Sequence, residues 1–110
     1  MVHIKEKCGI IWNNRLIEIK NISSGSHDFL MDPEQFYRYI DGIQAIVHSH
    51  TELCSPSEED LENMKVWRIP WIIASKSCIA AYLVTDVGVT QISIDPLFLE
   101  ELKDFVMHLP

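Results

Sequence analysis

Positive charge is scarce in this chain. Nine Lys and Arg stand against 16 Asp and Glu, a formal net charge of −7, and no basic cluster rises above the scattered Lys5, Lys7, Arg15 and Lys20. A surface that tracks phosphates needs the opposite balance, so no nucleic-acid partner is expected. Long hydrophobic runs are missing too. No apolar stretch approaches the roughly 18 uncharged residues of a membrane span, and Met1-Val2-His3-Ile4-Lys5-Glu6 has no apolar signal core, so a cytoplasmic protein with no membrane partner is expected. Cysteine is sparse: Cys8, Cys54 and Cys78 are odd in number and widely spaced. That fits three reduced thiols better than a disulfide framework or a cysteine-built zinc cage. Four glycines and five prolines leave no linker or low-complexity tract, and the 110 residues read as one domain, 1–110. With 47% hydrophobic residues the chain can bury a core without staples, so a metal here need not be structural.

The segments alternate between strand and helix periods. Cys8 to Trp12, the pair Asn13-Asn14 and Arg15 to Lys20 read as a hairpin, because Asn tolerates the positive φ of a two-residue turn. Ser23 to Ser26 is loop-like. Asp32-Pro33 opens a helix carrying Phe36, Tyr37 and Ile40, with Gly42 as its stop. Ile43 to Val47 is a buried strand ending in His48-Ser49-His50; Ser57-Glu58-Glu59-Asp60 starts a helix that runs toward Pro70. Strands are expected at Trp71–Ala74, Ile79–Val84 and Val89–Ile94. Asp95-Pro96 then opens a last helix with Phe98, Leu102, Phe105, Val106 and Leu109 on one face. The order ββ-α-β-α-βββ-α implies an α/β (α+β) domain, a mixed β-sheet sandwiched by helices.

The chemistry concentrates between His48 and Asp60. Two histidines at i and i+2 on an extended strand point to one side, so both imidazoles reach one ion. A carboxylate ten residues on, in the first turn of a helix, can fold back as third ligand and leave a fourth tetrahedral position open. Two imidazoles and a carboxylate suit zinc, without excluding iron or manganese. Plainer readings stand beside this one. A His-x-His pair at a strand end can be a polar rim, Ser57 a helix N-cap, and Asp60 the acidic partner in its capping box. Against them, a buried strand ending in two imidazoles needs something to compensate their desolvation.

His-Ser-His followed by Pro-Ser-x-x-Asp resembles the signature of the JAMM (MPN+, JAB) metallopeptidase family. Glu6-Lys7-Cys8-Gly9-Ile10-Ile11 is similar to that family's upstream glutamate segment. The resemblance runs from Glu6 to about Val84. It implies the JAB/MPN architecture, which is cytidine-deaminase-like, and one Zn2+ per chain on His48, His50 and Asp60. It further implies Glu6 and Ser57 as catalytic residues, Glu6 moving the proton and Ser57 helping to hold the developing oxyanion, in hydrolysis of an amide or isopeptide bond. Taken alone, Glu6 between Lys5 and Lys7 would read as a strand-edge carboxylate.

The chain departs from the family in three places. Thr51 stands where Pro usually follows His-Ser-His, and the run from His50 to Ser57 is one residue short of the commonest form. Only five residues precede Glu6, where the family carries a long helix, so one face of the sheet is expected bare or covered by a partner. Cys54 lies in the metal loop, where it reads as a bystander thiol or an adventitious ligand. Phe29 to Pro33 and Pro70 to Ile73 most resemble the prokaryotic and phage branch, in which such a domain precedes an NlpC-type peptidase domain in tail-assembly proteins. The implied substrate is a protein or peptide, a small β-grasp protein or a tail or cell-wall component, with the virion as a second location. A scaffold or tail-assembly module that keeps the metal is the alternative function. Trp12, Trp67 and Trp71 near element ends read as core residues, or as one at a dimer interface.

Overall fold

The computed structural model of the chain describes residues 6–23 and 29–110. The expected loop at Ser23 to Ser26 lies outside them except for Ser23. Asn13 and Asn14 adopt φ of 51° and 61°, the two left-handed residues of a tight hairpin turn. They join β1, Cys8–Trp12, to β2, Arg15–Ile19, in register from Cys8 opposite Ile19 to Trp12 opposite Arg15. Gly9 is required by packing: a Cβ there would lie 2.6 Å from the Ile17 carbonyl oxygen.

Asp32 accepts from the Glu34 N–H and caps α1, but α1 is only Pro33–Tyr37, shorter than its apolar pattern implied. The chain then turns through Gly42, whose φ is +103°, into β3, Ile43–Ser49. Ser57 caps α2, Glu58–Val66, which crosses over to β4, Trp71–Ala74, parallel to β3. β5, Ile79–Thr85, and β6, Gly88–Ile92, complete one six-stranded sheet in the order β2-β1-β3-β4-β5-β6. A 3-10 turn, Pro96–Phe98, leads into α3, Leu99–Met107. The domain is mixed α+β, with its elements in the expected order.

Strand alternation sends alternate residues of β1 and β3 into two cores. Ile11, Ala45 and Val47, with Ile72 and Ala81, meet Phe98, Leu102, Phe105 and Leu109 on one face. Ile10, Ile46 and Trp71 meet Met64, with Phe29, Phe36 and Trp67 packed around them, on the other. The expectation of a sheet face bare or covered by a partner is therefore corrected: residues of α3 cover one face and residues of α1 and α2 the other, all from within the chain. Trp71 is buried, Trp67 meets Phe36 edge-on and Trp12 meets Tyr39, so each tryptophan has packing inside the chain. Among the described residues no helix is long and apolar enough to cross a membrane.

Candidate functional site

The site forms where β3 runs out. β3 lies between β1 and β4, with His48 opposite both Cys8 and Ile73, so His48 is fully buried. The His50 N–H donates to the Ala74 carbonyl at 2.9 Å, extending the parallel ladder and setting the second imidazole beside the first. Glu6 arrives from the other side. The Ser49 N–H donates to the Lys7 carbonyl and the Lys7 N–H to Ser49 Oγ, both at 2.8 Å, which clamps the residues before β1 against the end of β3. Asp60 is delivered by the capping box: Ser57 Oγ accepts from the Asp60 N–H at 3.1 Å, and Asp60 Oδ2 accepts from the Ser57 N–H at 2.9 Å.

Four side chains thus converge. The two Nε2 atoms of His48 and His50 are 3.1 Å apart, His48 Nε2 lies 3.1 Å from Asp60 Oδ1, and His50 Nε2 lies 3.2 Å from Asp60 Oδ2. Glu6 Oε1 stands 3.7 Å from His50 Nε2. Glu6, His48 and His50 also offer ligand atoms within 4.8 Å of one another, so either carboxylate could be the third donor. The shorter Asp60 distances favour Asp60.

These contacts make a frustrated hydrogen-bond set. His50 Nδ1–H donates to the Leu53 carbonyl at 3.0 Å, which fixes that proton. Each Nε2 then holds at most one hydrogen, and no protonation state satisfies both carboxylate contacts and the 3.1 Å contact between the two nitrogens. A cation accepted by all of these lone pairs resolves the conflict. Tetrahedral zinc at about 2.0–2.1 Å from each donor separates donors by about 3.3 Å, close to the spacing seen here. The residues fit a zinc ion by donor type and spacing, and His50 also by its tautomer. His48 Nδ1 is buried with no hydrogen-bond partner among the described residues, so its tautomer is left to whatever binds Nε2.

Electrostatics follow the packing. Burial lowers the His48 pKa, against the pull of Asp60, and Phe29 stacks on its ring at 4.6 Å. The Asp60 contact raises that of His50, which is only partly buried. Burial works to raise Asp60, but the hydrogen bonds from His48 and His50 outweigh it and hold the carboxyl well below the usual carboxylate range. Cys8 is buried behind His48, and burial, with Glu18 and Glu6 adding to it, pushes its thiol up to about 12.

A cleft of about 110 Å³ opens on this group, lined by Glu6, Ser49, His50, Thr51, Lys76, Leu109 and Pro110. Lys76 and the C-terminal wall were not anticipated; they come from the β4–β5 turn and the residues after α3, and only tertiary packing brings them there. Lys7 Nζ ties that wall down, donating to the His108 carbonyl at 3.0 Å. The sequence reading of Cys54 and Cys78 as reduced thiols is overturned: they form a disulfide, with Cα atoms 6.1 Å apart. The turn between β4 and β5 folds Cys78 back onto the loop after His50, a proximity that 24 residues of separation conceal. Cys54 is consequently no ligand.

No protein-family model matches the chain. A desampylase of Pyrococcus furiosus is 32% identical, over 64% of this chain; the chain spans 60% of that relative's length. A solution structure of a Desulfitobacterium hafniense protein superposes with a TM-score of 0.65, covering 83% of this chain and 77% of that one at 19% identity, which supports the fold. The sequence similarity to the desampylase supports a relation to the JAMM/MPN proteins.

Proposed function

We propose that the chain is a zinc-dependent hydrolase of the JAMM type that cleaves an amide or isopeptide bond in a protein substrate. The observation that carries this reading is the convergence of two imidazole nitrogens and the Asp60 carboxylate at zinc-ligand spacing, with a second carboxylate, Glu6, just outside it. His48, His50 and Asp60 would hold the ion. When bound, zinc supplies a Lewis acid that polarises a carbonyl and brings water toward ionisation near neutral pH. Glu6 takes a proton from the attacking water and returns it to the departing amine. Ser57 Oγ accepts from the Asp60 N–H, which leaves its own hydrogen to donate to an oxygen gaining charge. The similarity to a desampylase favours an isopeptide link to a small β-grasp protein as the substrate class.

The test is cleavage of isopeptide-linked and C-terminally extended β-grasp proteins, with cell-wall peptides as a parallel panel. Cleavage that stops on chelation and returns with zinc is expected. A zinc-loaded protein that cleaves none of them would argue for the assembly-module alternative.

A further inference from the structure

We propose that the Cys54–Cys78 disulfide is a redox-operated positioning element for His50, setting how tightly the centre holds its metal. This rests on the metal reading above. Two residues of the loop after His50, Glu52 and Cys54, are held to the β4–β5 hairpin by three tethers. The Glu52 carbonyl accepts from Ser75 Oγ at 2.9 Å, the Cys54 carbonyl accepts from Tyr82 Oη at 2.8 Å, and Cys54 Sγ is bonded to Cys78. The residue between them, Leu53, has its side chain in solvent and its carbonyl on His50 Nδ1. That hydrogen bond selects the tautomer whose Nε2 lone pair faces the ion.

The disulfide is the one covalent tether of the set, and it also braces Ser75. The Ser75 N–H donates to the Cys78 carbonyl, and the Cys78 N–H donates to Ser75 Oγ. Opening the bond frees the Cys54 side chain and leaves the loop held to the hairpin by hydrogen bonds alone. Cys78 is half-buried rather than sealed, so a thiolate has an approach to it. A dithiol reductant supplies two electrons and two protons: the Sγ–Sγ bond breaks, each cysteine gains a hydrogen, and the reductant closes its own disulfide.

The experiment measures zinc affinity by competition with a chromogenic chelator, for the oxidised protein, the reduced protein, the reoxidised protein and C54A/C78A. The double variant removes the thiols, which are themselves potential zinc ligands once reduced. Loss of a partner that orients a ligand typically weakens metal binding by about 10–100-fold, and that loss is expected in C54A/C78A and in the reduced protein. Reoxidation should restore the affinity, which a purely structural disulfide, acting on melting temperature alone, would not require. Cobalt spectra of the oxidised and reduced forms should differ in the same sense. Equal zinc affinity in the oxidised protein, the reduced protein and the variant would overturn the proposal while leaving the metal site standing. Absence of zinc from the oxidised protein would overturn both.

Discussion

Glu6 Oε1 approaches His50 Nε2 to 3.7 Å, while Asp60 Oδ2 lies closer to the same nitrogen, at 3.2 Å. The two carboxylates flank one imidazole at different distances, a difference that supports the roles proposed for them, Asp60 as ligand and Glu6 as proton carrier. Glu6→Gln should accordingly keep its zinc content and melting temperature while turnover falls by roughly 10²–10⁴, the usual cost of losing a general acid/base. Wild-type turnover in that variant, or loss of zinc from it, would reverse the assignment.

Ser57→Ala should give a different signature, because Ser57 caps a helix as well as carrying a proposed role at the site. Its hydroxyl caps α2, and losing an N-cap costs about 1 kcal/mol, or about 4 °C in melting temperature for a domain of this size. The Asp60 carboxylate keeps its bond to the Ser57 N–H, so zinc should remain bound. Turnover should fall by about 10²–10³ if the hydroxyl donates to the oxyanion. Calorimetry and rate measurements on one preparation separate the two effects; a cooler melting point with unchanged turnover would leave Ser57 as a cap only.

Thiol counting checks the disulfide. Cys8 is buried and its thiol is pushed up to about 12, so the folded, oxidised protein should show no thiol reactive toward an aromatic disulfide reagent at pH 8. Denaturation should expose Cys8 alone, and denaturation after reduction should expose all three cysteines. Three thiols in the denatured, unreduced protein would contradict the pairing.

Zinc affinity should depend on pH with a definite sign. Asp60 is held well below the carboxylate range and His48 is held neutral by burial, so neither competes for protons near neutrality. The raised His50 does: its proton must leave before Nε2 can bind an ion. Affinity should therefore rise with pH through the pKa of His50, above its ordinary 6.5, with one proton released per zinc there. Calorimetric titration in buffers of different ionisation enthalpy counts that proton; affinity flat across this range would contradict it.

The convergence of His48 and His50 was legible because a strand repeats every two residues, and that of Asp60 because a capping box returns the third residue of a helix to its start. Both are local rules, and local rules also gave the Asn13-Asn14 turn and the helix stripe from Phe98 to Leu109. What lay hidden was tertiary. Nothing near Cys54 signals that the β4–β5 turn will bring Cys78 to it, or which face of the sheet α3 will cover. The end of α1 was misjudged for a related reason. Ile40 continues a helical apolar pattern, but the chain leaves the helix after Tyr37 to enter β3, and strand pairing outweighed propensity.

Native mass spectrometry of the intact chain tests most directly whether His48, His50 and Asp60 together hold one catalytic zinc. One zinc per chain is predicted for the wild type and for Glu6→Gln, and most of it should be lost in His50→Ala. The fold should survive in that variant, because the core is built from residues such as Ile72, Leu102 and Met64 rather than around the ion. Stoichiometric zinc in a His48→Ala/His50→Ala double variant, or none in the wild type supplied with zinc, would contradict the account.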